Sequence, residues 1–526
     1  MDFFAHQDQA RRNTKWLVGY FILAIVLMVL AIYLVFALVF LHDNYRPDTL
    51  KWLWNAKLFA GVGLGTLLVV LFGSAFKTMA LRQGGGAVAM QLGGVPLDPN
   101  TRDPDHRRLL NVVEEMALAA GTAVPEVYVL PEEQGINAFA AGHQAQDAAI
   151  GVTQGCVKLL NRDELQGVIA HEFSHILNGD MRLNLRLMGL VHGILCVAIL
   201  GRVLLRTGYG RHVRLGARDR GKGGNPLPLI GLGLLVIGSI GVFFGRLIKS
   251  AVSRQREFLA DAAAVQFTRN PAGLAGALKK IGGLVFGSRL ETPNAEEASH
   301  FFFSNGLGAS WLSLMATHPP LSERIRLLDP SFDGAYTRVA VVEGPPPIPQ
   351  AARLGGRPPR LDDLSEQGVA PAYAVPVTPG QIIPRVGAPA PGHLQYAAEL
   401  RAALPPRLVE AAHEPMSAIA LVYALLLSPD SEIRATQINQ VRKEGESGIT
   451  AELHRLMPEL EPLPAEVKLP LALLSVPALG RLSTAQYGRF RRVLGHLIEC
   501  DQQIDLFEYT LEKIVVRRLE IGRAHV

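Results

Sequence analysis

The sequence predicts a mainly α-helical integral membrane protein that also contains an α+β domain with a small sheet and a C-terminal helical domain. Apolar residues make up 49% of the 526 residues and charged residues only 19%, which is a low charge content for a soluble protein. Residues 16–41 and 58–76 form two uncharged apolar runs. Each run is long enough to cross a bilayer core of about 30 Å at 1.5 Å per residue.

The first 80 residues predict a membrane hairpin made of these two runs. A cleaved signal peptide has a shorter apolar core and a small-residue cleavage site, so residues 16–41 are interpreted as an uncleaved anchor. The net charge of +5 is mild, and membrane proteins often carry basic flanks. The composition therefore gives no reason to expect a nucleic-acid partner.

A glycine-rich segment, residues 82–100, follows the hairpin and is typical of a linker. The composition then becomes globular. Residues 107–120 have helical periodicity, and residues 125–130 and 148–152 are typical of short strands. Asn161 is the predicted cap of the next helix, and residues 178–180 are its predicted end.

That helix carries a His-Glu-Phe-Ser-His motif at residues 171–175. Positions four apart share a helix face, so His171 and His175 can direct a ring nitrogen at one ion. Glu172 can reach a water on that ion. Catalytic zinc takes imidazole ligands and keeps one position for water, so the spacing predicts two ligands and a general base. The alternative is a helix that carries two histidines by chance.

Residues 187–249 predict a second membrane hairpin, inserted into the globular part. Its apolar runs are residues 187–201 and 226–245, and a basic loop, residues 202–225, joins them. The first run is short for a crossing, and the second is about long enough. A buried helical pair inside the globular domain is the alternative.

A third metal ligand is predicted on a further helix that begins at residues 253–261. Glu257 and Asp261 are four residues apart on it and share a face. A glutamate from a second helix commonly completes a zinc site that has two histidines. Asp261 can accept a hydrogen bond from a ligating histidine and so fix its tautomer. The same pattern also fits an exposed charged face, but the histidine motif favours the metal site.

Four separated segments together resemble the HtpX family of membrane zinc peptidases. They follow the family's order over about residues 10–330, and the two predicted hairpins lie where the family has its membrane helices. The related type I CAAX prenyl proteases have more membrane helices than this sequence offers. The four segments are residues 137–140, 171–180, 253–261 and 317–325.

The resemblance implies a zincin-like α+β catalytic domain and the activity of a zinc metalloendopeptidase with one Zn²⁺ per chain. His171, His175 and Glu257 would bind the zinc, and Glu172 would be the base. The resemblance further implies a multi-pass protein of the bacterial inner (plasma) membrane with a cytoplasmic active site. The distribution of Lys and Arg between the loops gives no clean orientation by itself.

Substrate contacts are also implied by the resemblance. Residues 137–140 would form an edge strand that pairs with an extended substrate backbone, since main-chain hydrogen bonds give affinity with little sequence demand. His318 would stabilise the oxyanion near the metal; the alternative is a structural histidine held at a helix start by Pro319. The substrate-binding residues would be Asn137, Ala138, Phe139 and Ala140.

The C-terminal part predicts a Pro/Gly-rich linker followed by a helical domain that is weakly similar to TerB-like domains. Asp501, Asp505 and Glu508 have spacing that fits a metal site or helix capping. We expect the domain to bind a protein partner or to regulate the enzyme. Residues 521–526 match what read-through into a sequencing adapter would encode, so they are expected to be non-native.

The predicted division of the chain has seven parts. They are the first hairpin (1–80), the first catalytic part (81–186), the second hairpin (187–249), the second catalytic part (250–330), the linker (331–394), the helical domain (395–520) and the non-native tail (521–526).

Two functions remain open at this point. The first is an endopeptidase that acts on membrane-associated or misfolded proteins at the bilayer. The second is a catalytically inactive membrane scaffold whose C-terminal helices bind a partner. The presence of Glu172 favours the enzyme, because a structural zinc site needs ligands and no base.

Overall fold

The protein is described here by a computed structural model that covers residues 3–40, 53–80, 84–212, 226–284, 303, 318–336, 391–500 and 505–523. It is mostly helical and contains a small mixed sheet. The chain divides into two compact units. The first unit comprises Met1–Arg82, Arg182–Leu259 and Ala309–Pro319, and the second comprises Gln83–Met181, Ala260–Gly308 and Pro320–Val526.

The helices before the predicted linker are α1 (Phe3–Phe40), α2 (Ala56–Ala80), α3 (Gly84–Gln91), α4 (Pro104–Ala120), α5 (Gln154–Leu159), α6 (Arg162–Asn178), α7 (Asp180–His212), α8 (Leu227–Thr268), α9 (Pro271–Gly283) and α10 (Leu321–Leu328). The strands are β1 (Val95–Pro96), β2 (Glu126–Leu130), β3 (Ala138–Ala141) and β4 (Ala149–Thr153). The C-terminal helices are α11 (Pro391–Ala403), α12 (Pro406–His413), α13 (Pro415–Leu425), α14 (Ser431–Glu444), α15 (Ile449–Leu460), α16 (Ala465–Gly480), α17 (Thr484–Glu499) and α18 (Leu506–Arg523).

Four helices of the described ranges are long and apolar enough to cross a membrane. Many of their large apolar side chains are exposed, for example Phe72 at 72% and Phe76 at 70%. Apolar surface of this extent is typical of a face that contacts lipid. The four candidate spans are Gly19–Phe40, Ala56–Met79, Asp180–Thr207 and Leu227–Thr268.

In the first unit, Tyr33 closes the turn between α1 and α2. Its hydroxyl donates to the Leu53 carbonyl at 2.6 Å and accepts from the Asn55 amide at 2.8 Å. Gly73 of α2 and Gly193 of α7 let these two helices approach closely, because a side chain at either position would overlap the opposite helix.

The helix that carries Glu257 differs from its prediction. The predicted helix starts at residue 253, whereas α8 runs without interruption from Leu227 through Glu257 and Asp261 to Thr268. Near residue 253 the residues on the helix change from apolar to charged, but the helix itself continues. No proline lies within α8 after residue 228, so nothing in its backbone ends the helix there.

In the second unit, the sheet has the order β1-β2-β4-β3. β2 and β4 are parallel, whereas β3 is antiparallel to β4 and lies at an edge of the sheet. The predicted strands at 125–130 and 148–152 are therefore confirmed as β2 and β4.

The predicted linker at residues 82–100 is wrong in part, because it contains α3 and β1. A Cβ atom added to Gly85 would lie 2.2 Å from the Ala141 carbonyl oxygen, and one added to Gly86 would lie 2.5 Å from the Tyr128 hydroxyl. These glycines thus allow a helix to lie directly on the sheet, which composition alone cannot distinguish from a flexible linker.

The predicted bounds of the motif helix are confirmed. Asn161 and Glu164 form a capping box at the start of α6, and Gly179 ends the helix in the left-handed conformation with φ 71°. In the C-terminal helices, Ser483 caps α17. Asp505 and Glu508 bond each other's backbone amides at the start of α18, which fits capping; Asp501 lies outside the described residues.

Candidate metal centre

The two histidines of α6 lie side by side. Their Nε2 atoms are 3.2 Å apart, and their ring centroids are separated by 4.8 Å. The His171 side chain is fully buried and that of His175 is 14% exposed. The i,i+4 spacing on α6 thus brings the two rings to one point, as the sequence analysis expects.

Each ring is supported on its other nitrogen by an aspartate. Nδ1 of His171 lies 2.9 Å from Asp261 Oδ1, and Nδ1 of His175 lies 2.9 Å from Asp180 Oδ2. An ionised carboxylate only accepts hydrogen bonds, so in the neutral form of each imidazole the hydrogen lies on Nδ1 and Nε2 is left as an acceptor. Support of this kind is typical of metal-ligating histidines.

This geometry suits a metal ion. Two acceptor nitrogens that face each other at 3.2 Å repel unless a cation lies between them. Two nitrogens bound to one tetrahedral zinc at ~2.0–2.1 Å are themselves about 3.3 Å apart. The separation of the two rings therefore fits a shared zinc ion.

Glu257 is the third member of the candidate group. It lies one turn before Asp261 on the continuous helix α8. One donor atom from each of His171, His175 and Glu257 lies within 4.8 Å of the others. Two imidazoles and one carboxylate are a donor set that zinc accepts.

Asp261 is itself held by an arginine whose role the sequence analysis missed. Arg324 is fully buried and binds the Asp261 carboxylate through two nitrogens, at 2.8 and 2.7 Å. Paired contacts of this kind hold a carboxylate in one orientation. The only sequence signal for Arg324 is its position in the segment 317–325.

Arg324 also contacts Phe303. One of its nitrogens donates to the Phe303 carbonyl at 2.8 Å, and the guanidinium lies 4.8 Å from the ring centroid. The same ring meets the His171 ring edge to face at 4.8 Å. Phe303 is fully buried and thus helps to fix the first histidine, a role for which its sequence context gives no signal.

His318 lies beside the third carboxylate. Its Nδ1 is 3.1 Å from Glu257 Oε2, and both side chains are 3% exposed. The helix α10 begins three residues later, at Leu321, with Pro320 as its cap. His318 therefore contacts Glu257 directly, and this contact also fits a role in orienting that carboxylate.

The predicted substrate-binding residues lie at the sheet edge. Asn137 is fully buried; its amide donates to Thr153 Oγ1 at 2.9 Å and its side-chain oxygen accepts from the Ala138 amide at 3.0 Å. In β3 the main-chain groups of alternate residues face away from β4. The outward carbonyl of Ala138 accepts from the Phe303 amide at 2.7 Å, and the main-chain groups of Ala140 also face outward.

Glu172 is fully buried on α6. Burial, and then the negative charge of Glu172, raise the pKa of the nearby Cys156 thiol. Cys156 therefore stays protonated at neutral pH in the absence of a metal.

Comparisons with known proteins agree with this geometry. Residues 104–331 match peptidase family M48. The protease HtpX homologue of Caldanaerobacter subterraneus is 42% identical over 270 residues, and that of Thermoanaerobacter pseudethanolicus is 39% identical over 267 residues; each alignment covers 50% of this chain and 84% of the relative. The homologue of Streptococcus pneumoniae R6 is 34% identical over 278 residues, which is 52% of this chain and 88% of the relative.

No solved structure matches the chain. The family is nevertheless established, because the relatives are aligned over most of their length at 34–42% identity. The chain belongs to peptidase family M48, as an HtpX-like membrane metallopeptidase.

Proposed function

We propose that the chain is a zinc-dependent endopeptidase that hydrolyses peptide bonds in membrane-associated or misfolded proteins. One observation carries the proposal: the Nε2 atoms of His171 and His175 face each other at 3.2 Å while both Nδ1 atoms contact carboxylates. His171, His175 and Glu257 would hold one zinc ion. When bound, zinc polarises a peptide carbonyl and lowers the pKa of a water to ~7.

Glu172 is the proposed base. Its carboxylate accepts a proton from the attacking water, whose oxygen forms the new bond to the peptide carbon. Glu172 then delivers that proton to the leaving nitrogen as the carbon–nitrogen bond breaks. Because Glu172 is fully buried on the same helix as the two histidines, little solvent competes for the proton.

The supporting residues orient this machinery. Asp180 and Asp261 keep the hydrogen of each ligating imidazole on Nδ1, which reserves Nε2 for the metal. His318 contacts the Glu257 carboxylate and would also stabilise negative charge on the carbonyl oxygen as the water attacks.

The proposed substrate lies extended along β3 and forms main-chain hydrogen bonds with it. The outward groups of Ala140 are the proposed pairing site, since the Ala138 carbonyl already accepts from Phe303. Asn137 and Phe139 would support the strand. Main-chain pairing of this kind tolerates many sequences, which suits an enzyme that removes misfolded proteins.

We further propose that residues 81–186 and 250–330 form one zincin-like domain, into which the hairpin 187–249 is inserted, and that 395–520 form a helical regulatory domain. The active site would face the cytoplasm of a bacterial inner membrane. Reporter fusions after residues 90 and 215 test this orientation. A periplasmic signal after residue 90 would overturn it.

The decisive experiment is cleavage of casein and of a membrane protein substrate by the purified full chain, with zinc content measured on the same samples. We expect about one zinc per chain, cleavage that a chelator abolishes, and restoration by added zinc. Glu172→Ala should retain zinc and lose cleavage by at least about 100-fold. Glu132→Ala, at an exposed glutamate, is the matched control.

Two outcomes would contradict the proposal in different ways. Wild-type cleavage by Glu172→Ala would remove Glu172 as the base. A zinc-loaded wild type that cleaves nothing would favour the inactive membrane scaffold, whose C-terminal helices would then be its working part.

A further inference from the structure

The C-terminal helices α11–α18 belong to the same compact unit as the sheet and α6. The match to family M48 ends at residue 331, so these helices lie outside the family region. Their contacts with the family region are concentrated on α4, which packs against α11 on one side and against α6 on another. The contact with α4 is therefore where the C-terminal helices can act on the family region.

Glu114 of α4 is the centre of the contact. Its carboxylate accepts from Arg401 Nε at 2.5 Å and lies 2.7 Å from His413 Nε2, while Arg401 also donates to the Asn111 side chain. Glu114 is 3% exposed. Burial by itself raises the pKa of its carboxyl, but the hydrogen bonds and charges of His413 and Arg401 outweigh burial and hold that pKa below its usual range.

The next residue on α4 points to the motif helix. Glu115 accepts two hydrogen bonds from Arg162, at 2.8 and 2.6 Å, and Arg162 is the first residue of α6. Consecutive helix positions are about 100° apart around the axis. α4 thus holds the C-terminal helices with Glu114 and the start of α6 with Glu115.

A solvent-open cleft of about 420 Å³ lies between the two parts. Interfaces between domains of one chain resemble reversible protein–protein contacts. The cleft is lined from the family region by residues such as Leu110, Val127 and Tyr128, and from the C-terminal helices by His413, Leu474 and Arg481.

We propose that residues 391–523 form an intramolecular regulatory module that docks reversibly on α4 through Glu114, and that docking immobilises α6, the helix of His171, Glu172 and His175. The occupant of the α4 surface is thus a segment of this chain. Docking stabilises α4, and α4 in turn stabilises the start of α6 through Glu115. Release of the module removes the Arg401 and His413 contacts that hold Glu114, so α4 and α6 loosen together.

The test uses the full chain in detergent, with a site for a specific protease inserted between Pro359 and Arg360. After cleavage, the N-terminal fragment is captured by a tag, and the amount of C-terminal fragment that remains bound is measured across a dilution series. Hydrogen exchange of residues 162–178 is measured on the same samples. We expect the uncut and the cut wild type to give the same slow exchange, with the fragment retained.

Glu114→Ala and Arg401→Met should each weaken retention by at least about tenfold, which equals about 1.4 kcal/mol, and should speed exchange of α6. Arg401→Met keeps α4 itself intact, so it remains informative if Glu114→Ala misfolds. Arg407→Met is the matched control, because Arg407 pairs with Glu459 on the surface of the C-terminal helices.

The proposal is overturned if the cut wild type loses its C-terminal fragment, if both variants retain it like Arg407→Met, or if its release leaves the exchange of α6 unchanged. These measurements need no peptidase activity. Their failure is therefore separate from a failure of the proposed zinc chemistry.

Discussion

The two histidines of α6 receive the same support by very different routes. His175 contacts Asp180, which lies five residues later at the start of α7. His171 contacts Asp261, about 90 residues later in the chain, and Asp261 depends in turn on Arg324. The first support needs only the end of a helix, whereas the second needs the complete fold of the second unit.

The same contrast between near and distant partners applies to two glutamates. Glu164 has a partner of each kind: it closes the capping box of α6 with Asn161 within one turn, and it accepts from Lys280 Nζ at 2.7 Å across 116 residues. Glu114 bonds Arg401 across 287 residues. Near partners act on one helix end, and distant partners hold separate segments together, so the loss of a distant partner should have the larger effect.

The largest effect is expected from Arg324→Met. The change leaves the buried Asp261 carboxylate without its cation, and loss of one member of a buried pair costs about 3–5 kcal/mol. The thermal midpoint in detergent should fall and zinc content should drop. Arg326→Met, at an exposed position on the same helix, should change neither; equal behaviour of the two variants would contradict the role given to Arg324.

Substitution of each of the two supporting aspartates should show how much each one contributes to zinc affinity. Asp261→Asn should lower zinc affinity by about 100-fold and Asp180→Asn by about tenfold, the two ends of the range seen when such supports are removed. The larger loss follows because Asp261 also anchors Arg324. Competition with a fluorescent chelator measures both zinc affinities. An equal loss of affinity in the two variants would show that Asp261 contributes no more than Asp180.

Acid should weaken the contact at Glu114. A carboxyl whose pKa in the folded state lies below its ordinary value of 4.5 stabilises docking above that pH and loses the effect as pH falls through the lowered value. Retention of the cut C-terminal fragment should therefore decline below about pH 4.5. The Glu114→Gln variant should bind the C-terminal fragment more weakly and lose most of this pH dependence. An unchanged pH profile in that variant would mean that other groups cause the dependence.

The smallest effect is expected from Asn161→Ala. Loss of an N-terminal cap costs about 1 kcal/mol and should lower the thermal midpoint slightly while zinc affinity stays within about twofold, because the cap lies more than two turns from His171. Ser483→Ala, at the equivalent cap of α17, gives the matched comparison. A tenfold loss of zinc affinity in Asn161→Ala would contradict the local character of this contact.

Patterns that act within one element could be predicted from the sequence. The capping box of α6, its glycine stop and the shared direction of His171 and His175 follow from residue spacing along one helix. The grouping of Glu257 with them could be predicted from the resemblance to the family. Their role as ligands stays a prediction.

Contacts between distant segments could not be predicted in the same way. Asp180 looked like part of a helix stop, and Arg324 and Phe303 had no assigned role, because nothing in their own sequence context reveals the partner. The glycines of α3 suggested a linker for the same reason. Their function is close approach to a sheet, at Tyr128 and Ala141, which lie 42 and 56 positions later in the chain.

The position of Glu257 at the far end of α8 also has a consequence for synthesis of the chain. Roughly 80 residues separate it from His175, and they include the two apolar helices of the second hairpin. A ribosome that adds about 5–20 residues per second needs roughly 4–16 s to produce this stretch. During that interval the nascent chain has both histidines but lacks Glu257, the third proposed ligand. The proposed metal site can therefore be completed only after α7 and α8 have been synthesised, and a chain that stops before Glu257 lacks one of its proposed ligands.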